Sequence, residues 1–395
     1  MQIEATAIPA QSAEPVAQPA TTTRNGGIDA LRAVMTLLVL FHHTAITYGA
    51  SGGWFYHELP AGSSPSARLL TLFVATNQAY FMGLFFLLAG YFTPGAIRAK
   101  GPLLYIRDRA LRLGLPLLAF GLVLGPFTEA MALAVQGRPF TPTLLAIWHR
   151  GYFIEGPLWF AEALLIFGVA ALVWFVVSDR LSPAAAGNRR EAPFPSNATI
   201  AAAALLTAAA AFVVRFWWPV GASWHGLQFG YFPGYVVLFV AGCAAAAPRW
   251  LERVPPHTAR LWLIIALTCY WVLPAVSLLA PAVPALRGTS DGGWTWPALI
   301  YAAWEPAVAC GLILALLVAF QRRFTQLTPV WRRLSERAYA IYIIHPPVLV
   351  ALALAWRSVA APAVVKFAVT GAATCLACYL LAGLLLRVPG ARRVL

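Results

Sequence analysis

The segment DALRAVMTLLVLFHH, residues 29–43, has an acid and a base at the start of an apolar run and two histidines at its end. Eleven positions separate Arg32 from His43, so on an α-helix the two side chains differ by only about 20° in direction and about 16 Å in height. His42 points about 80° away from that shared face. Asp29 and Arg32 have the i,i+3 spacing of an ion pair. The segment predicts a helix with an ion pair at one end. It also predicts a polar line, the shared helix face that runs from Arg32 to His43.

The composition indicates a protein embedded in a membrane. Of 395 residues, 60% are hydrophobic and 11% are charged, whereas a soluble domain has about 25% charged residues. Ten apolar runs approach or exceed the roughly 20 residues that cross a bilayer as a helix. They cover residues 28–48, 69–93, 112–136, 157–178, 198–215, 229–247, 261–280, 297–320, 337–356 and 363–386. We expect an all-α, polytopic membrane protein with about ten transmembrane helices in residues 24–395, preceded by a disordered cytoplasmic tail at 1–23.

The number of basic residues, lysine and arginine together, alternates between high and low in successive connections between the spans. With both termini in the cytoplasm, the inner segments hold 20 of the 28 basic residues, the outer loops hold five, and three fall at or within span ends. This is the positive-inside pattern, so the net charge of +14 indicates membrane orientation rather than nucleic-acid binding. We expect a multi-pass protein of a bacterial inner membrane with both termini cytoplasmic. The five cysteines lie in or beside apolar runs, and we expect no metal site and no permanently bound cofactor.

Two ionisable residues are predicted at similar depth inside the membrane. His43 lies about 21 Å above the inner end of its span, and Glu162 lies about 8 Å below the outer end of its own, in a hydrocarbon core of about 30 Å. Intramembrane ionisable groups usually face a protein interior, and histidine exchanges a proton near neutral pH. Both are catalytic candidates, with Glu162 orienting the imidazole or binding an acceptor. The alternative is a packing role for either side chain.

Further polar groups lie in the later spans. His345 in AYAIYIIHPPVLV, residues 338–350, precedes Pro346 and Pro347, which free helix carbonyls that need a partner inside protein. It is either a catalytic residue or the cap of such a carbonyl. Glu305 and Arg215 are weaker candidates, each at or within a span.

The connections on each side of the membrane have different chemistry. On the inner side, Arg107, Arg109 and Arg112 form either an anion site for phosphates, for which guanidinium groups are suited, or an orientation signal only. On the outer side, the segments 49–68 and 281–296 are rich in Gly, Trp, Ser and Pro. They are either aromatic anchors at the membrane interface or a lip that binds sugars.

Four stretches, in this order, make the chain resemble the membrane-bound acyltransferase family 3, most of all the branch of glucans biosynthesis protein C. They are DALRAVMTLLVLFHH with its Arg-x10-His, YFMGLFFLLAGYF, RDRALR with its Arg-x-x-Arg, and AYAIYIIHPPVL. GPLWFAEALLIF is also similar to the family, whereas Ala89 stands where many members have Ser. The resemblance implies transfer of an acyl group from cytoplasmic acyl-CoA to a hydroxyl, often of an extracytoplasmic sugar, with Arg32 and His43 essential.

The residues alone are compatible with that activity. An inner anion site at Arg107, Arg109 and Arg112, a line of polar side chains and a proton-handling histidine toward the outside fit the O-acyltransferase that the resemblance implies, with acyl-CoA bound at those arginines. Its partners are acyl-CoA, with an acetyl or succinyl group, a carbohydrate acceptor and the lipid bilayer. His43 is either a general base or a transient acyl carrier. The alternative function is a transporter or exporter that uses the same intramembrane groups, although the sequence has no convincing internal repeat of the kind found in many transporters.

Overall fold

The computed structural model describes residues 25–181 and 192–395, so the predicted tail at 1–23 lies outside the described residues. Within these ranges the chain forms helices and no strand, which confirms the all-α prediction. The helices are α1 Gly26–Thr47, α2 Pro65–Ala134, α3 Phe140–His149, α4 Gly156–Ser178, α5 Asn197–Val214, α6 Phe229–Ala246, α7 Pro256–Leu279, α8 Trp296–Arg323, α9 Pro329–Ala355, α10 Ala363–Leu385 and α11 Ala391–Val394. All except α3 and α11 are long and apolar enough to cross a membrane.

Helix α2 contains two of the predicted spans. It has 70 residues, but Gly101 has φ 73° and ψ 168° and interrupts the helical backbone. The chain turns back there, because Arg109 donates a hydrogen bond to Thr93 at 3.4 Å, across a separation that a straight helix would make about 24 Å. The connection at 94–111, which we expected to be a loop between spans, is therefore mostly helical.

Helix α1 is the most buried of the apolar helices. Asn25 caps it by accepting a hydrogen bond from the amide of Ile28 at 3.2 Å, as side-chain oxygens at an N-cap do. The helix packs against α2, α8, α9 and α10. Apart from Arg32, the polar residues of α1 thus lie mostly in the interior of the protein, which is where charged and polar groups inside a membrane are tolerated.

Helices α2 and α6 cross at very short range through two glycines. A Cβ atom at Gly90 would lie 2.1 Å from the carbonyl oxygen of Phe239, and one at Gly242 would lie 2.1 Å from that of Leu87. Small residues at a crossing let two backbones approach closely, which is how helices associate in a bilayer.

Candidate active site

Three nearly parallel rings meet where α1, α9 and the loop after α1 come together. The ring centroid of His43 lies 3.9 Å from that of Trp54 and 5.3 Å from that of His345, and the other two centroids are 5.8 Å apart. The ring planes are inclined to one another by 10° to 16°. The structure thus brings together two predicted catalytic residues and adds Trp54, which the sequence placed only in an aromatic outer loop.

His345 has a defined tautomer because of the proline that follows it. Pro346 has no N–H, so the carbonyl of Tyr342, four residues earlier, lacks its helical partner. Nδ1 of His345 lies 2.6 Å from that carbonyl oxygen and must donate to it, which leaves the lone pair on Nε2. Nε2 is buried without a hydrogen-bond partner among the described residues. His345 therefore caps the freed carbonyl and carries a second, basic nitrogen next to His43.

A cavity of about 1200 Å³ lies beside these rings. His43 lines it and is only half-buried, while its Nδ1 is enclosed with no partner in the described part of the chain, so Nε2 is the nitrogen that faces the cavity. Aromatic side chains in the wall include Trp54, Trp159, Tyr231, Tyr235, Tyr301 and Tyr342. Hydrogen-bonding side chains in the wall include Gln78, Glu129, Gln228, Ser290 and Asp291. Such a chamber can hold a hydroxyl compound next to a base.

Comparison with known proteins assigns the chain to a family. Residues 25–383 match the family acyltransferase 3, described as an acyltransferase domain. This protein belongs to that family. It is therefore a membrane acyltransferase, and the family match favours an enzyme over the transporter alternative. Searches of curated proteins and of solved structures found no match, so the likeness to the glucans biosynthesis protein C branch stays a prediction.

His42 also lines the cavity of this acyltransferase. Its ring stacks on Phe81 with centroids 4.9 Å apart, and its plane is inclined by 86° to that of His43. We expected His42 to turn away from the face of His43. The two rings do point in different directions, but both side chains line the cavity.

Arg32 and Asp29 form the predicted ion pair near the start of α1, with 3.9 Å between Arg32 Nη1 and Asp29 Oδ1. The Arg32 side chain is 49% exposed. The α1 residue in the cavity wall nearest to it in sequence is Val39, seven positions and about 10 Å along the helix. The polar line from Arg32 to His43 is therefore not a continuous opening along the described part of α1.

Glu162 is not among the described residues that line the cavity with His43. It is half-buried in the first turn of the regular helix that begins at Trp159, and its ionisable neighbours are Glu155 and His225. Three residues advance a helix by about 300°, so Glu162 points about 60° away from Trp159, which lines the cavity. Glu162 is absent from the described residues of the cavity wall, so its predicted roles beside the imidazole or the acceptor lack a supporting contact. Its predicted depth in the membrane stays a prediction, and the rotation of α4 could not be predicted from the sequence.

The arginines predicted on the inner side, Arg107, Arg109 and Arg112, follow the turn at Gly101 in α2. Arg109 packs over the ring of Tyr105, with 5.2 Å from its Cζ atom to the ring centroid, and donates to Thr93. Arg107 and Arg112 are exposed. Asp108 lies between them in sequence and pairs with Lys100, which lowers the positive charge of the group. The cluster is accessible to an anion, and binding of acyl-CoA there stays a prediction.

Arg215 and Glu305, two weaker candidates, form one buried ion pair. The Arg215 side chain is 1% exposed, and it donates through Nε to the carbonyl of Gly230 at 3.0 Å. Its guanidinium carbon lies 5.4 Å from the ring centroid of Tyr231 and 5.1 Å from that of Tyr301. Both tyrosines belong to the cavity wall. The ion pair therefore packs against two residues that line the cavity.

Proposed function

We propose that this acyltransferase transfers an acyl group from cytoplasmic acyl-CoA to a hydroxyl of an extracytoplasmic sugar or glycan, in a bacterial inner membrane. The observation that carries the proposal is the position of His43, which faces a large cavity lined by aromatic and hydrogen-bonding side chains. Acyl-CoA is a co-substrate in this proposal, and no permanently bound cofactor is required.

The chemistry assigned to His43 is general-base catalysis. Nε2 takes the proton of the acceptor hydroxyl as its oxygen attacks the thioester carbonyl. The carbon–sulfur bond then breaks, and the coenzyme A thiolate receives the proton from the imidazolium. In the alternative, Nε2 attacks the thioester carbonyl and coenzyme A leaves as the thiolate; the acceptor oxygen then attacks the acyl-imidazole, the carbon–nitrogen bond breaks, and the hydroxyl proton passes to the thiolate. Both routes use the same nitrogen, and trapping an acylated protein by mass spectrometry without acceptor distinguishes them.

The charge of the cavity wall favours a neutral acceptor. Its ionisable lining side chains, among the described residues, are His42, His43, Glu129, Asp291 and tyrosines, and no Lys or Arg is included. Carboxylates repel an anionic ligand and accept hydrogen bonds from neutral hydroxyls. A neutral sugar therefore suits this cavity better than a uronic acid. The same argument favours an acetyl over a succinyl donor, because a succinyl carboxylate has no cation to meet in the wall.

The test compares two adjacent histidines in the cavity wall. We expect His43→Ala to lower acyl transfer by about 10²–10⁴-fold, as removal of a general base does, while His42→Ala keeps most of the activity. The measurement is acylation of surface glycans by mass spectrometry in cells that express each variant, normalised to folded membrane protein. An inactive His42→Ala protein beside an active His43→Ala protein would reject His43 as the reacting residue.

A further inference from the structure

Three nitrogens of the nearly parallel rings in the active site are enclosed and have no hydrogen-bond partner in the described part of the chain. They are Nδ1 of His43, Nε2 of His345 and Nε1 of Trp54. The three ring centroids are 3.9, 5.3 and 5.8 Å apart, and two groups that bind the same water lie up to about 6 Å apart. A buried polar group without a partner costs free energy, so a water that connects these nitrogens stabilises the site.

The three nitrogens have complementary hydrogen-bonding roles. The indole N–H of Trp54 only donates. Nε2 of His345 accepts, because Nδ1 of the same ring donates to the carbonyl of Tyr342. Nδ1 of His43 donates if it carries the proton of the neutral ring. One water can then accept from Trp54 and His43 and donate to His345, and three partners are the usual number for a buried water.

His345 can act on the reaction only through another residue. It is 0% exposed and is not among the described residues that line the cavity. Its neighbour His43 has two neutral forms, and only the form with the proton on Nδ1 has a lone pair on Nε2, which faces the cavity. The hydrogen bond made by one ring nitrogen decides which nitrogen carries the proton. An acceptor on the Nδ1 side therefore favours the form of His43 that can take a proton from a substrate.

We propose that His345 is a positioning residue, which holds the proton of His43 on Nδ1 through one buried water that Trp54 also contacts. This inference rests on the proposed function and adds the group that prepares His43 for it. Hydrogen bonds then connect the carbonyl of Tyr342 to His345, His345 to the water, and the water to His43. A neutral imidazole takes the place that a carboxylate has beside the histidine of a Ser-His-Asp triad.

Two substitutions separate this role from capping of the helix. The side-chain amide of Asn lies near the position of Nδ1 of a histidine, and that of Gln lies near the position of Nε2. His345→Asn therefore keeps a donor for the Tyr342 carbonyl but does not reach toward His43, whereas His345→Gln keeps an acceptor oxygen toward His43. We expect His345→Asn to lower acylation of surface glycans by at least about tenfold, the factor that one hydrogen bond contributes, and His345→Gln to keep most of it.

The matched control is a histidine with the same local contact outside the cavity. Nδ1 of His149 lies 2.8 Å from the carbonyl oxygen of Leu145, and the side chain is exposed. His149→Asn should leave acylation per mole of folded protein unchanged. A His345→Asn protein as active as this control would overturn the proposal, because capping of the Tyr342 carbonyl would then be sufficient.

The position of the proton is measured directly, without a substrate. The full-length protein, with a heavy nitrogen isotope in its histidines, is placed in lipid bilayers at neutral pH, and solid-state NMR distinguishes protonated from unprotonated ring nitrogens. The chain has seven histidines, and the signals of His43 are those that His43→Ala removes. We expect the proton on Nδ1 of His43, in contact with a water proton, and a shift of the proton toward Nε2 in His345→Asn.

This measurement decides the proposal even if both His345 variants are inactive. A proton on Nε2 of His43 in the unaltered protein overturns it, and so does a proton position that His345→Asn leaves unchanged. An Nδ1 proton without contact to water overturns the bridge. A protein with the expected proton position but without glycan acylation would contradict the proposed function and leave this inference standing.

Discussion

At the scale of single residues, the position of His43, the histidine proposed to react, depends on a tryptophan from a loop. Trp54 packs its ring against His43 in a near-parallel stack, and its own Nε1 is buried without a hydrogen-bond partner in the described part of the chain. Stacked aromatic pairs contribute about 0.5–1.5 kcal/mol beyond their buried area. Trp54 therefore limits the orientations of the imidazole while leaving Nε2 open to the cavity.

We expect Trp54→Ala to lower acyl transfer by about tenfold, because the stacking free energy corresponds to about that factor in rate. Trp54→Phe should restore most of the activity, since it keeps a flat ring. Acylation per mole of folded protein is the measurement, with Trp294→Ala, at a side chain 86% exposed, as the control. Equal loss in the Phe and Ala variants would mean that the indole N–H acts directly rather than through the stack.

His43 could be predicted as a cavity residue and Trp54 could not. Helical periodicity fixes the face of a residue from local sequence alone, and His43 lies on a long helix. Trp54 lies in a loop with Gly52 and Gly53, where no period constrains direction. His345 was intermediate, because Pro346 made a freed carbonyl predictable but contact with His43 required the packing of α1 on α9.

At the scale of helices, the turn in α2 depends on Gly101. Its backbone combines positive φ with an extended ψ, a region that is essentially restricted to glycine. Gly101→Ala should cost about 1–3 kcal/mol of stability and displace Arg109 from Thr93. We expect a lower midpoint of thermal unfolding in detergent and weaker acyl-CoA binding. Gly95→Ala, exposed and free of neighbours within 4 Å, should change neither, and an unaffected Gly101→Ala protein would argue against a fixed turn.

The buried pair of Arg215 and Glu305 ties the end of α5 to α8. Removing one partner leaves the other charge buried and unpaired, which typically costs about 3–5 kcal/mol, whereas replacing both by apolar residues is often tolerated. Glu305→Leu should therefore unfold at lower temperature than the double variant Arg215→Met with Glu305→Leu. A double variant no more stable than Glu305→Leu would show that the pair does not act as a unit. Sequence identified both charges as unusual, but only packing reveals that residues 90 positions apart are partners.

At the scale of the whole molecule, hydropathy predicted the helices well because each crossing must satisfy its own backbone hydrogen bonds. The two spans predicted in α2 are both present, but they are not separated by a loop, because the helix continues on either side of Gly101. The cavity was less predictable. The segments 49–68 and 281–296 were expected at one side of the membrane, and Trp54 and Asp291 from these segments do line one space. That Tyr231 and Tyr235 also line this space depends on how α6 packs, which no local pattern encodes.

The number of crossings decides where the termini lie. The described residues contain nine apolar helices, and nine single crossings would place the termini on opposite sides. Helix α2, however, would be about 105 Å long if straight, far more than a core of about 30 Å, and the contact of Arg109 with Thr93 requires it to turn back. We therefore expect two crossings by α2 and ten in all, with both termini in the cytoplasm, as the 20-to-five distribution of basic residues predicts.

Reporter fusions at residue 5 and after residue 395 measure this directly, and a third fusion in the loop at 281–296 is the control for the outer side. Termini on opposite sides would mean that α2 crosses only once, and both the turn at Gly101 and the cytoplasmic position of Arg109 would have to be abandoned.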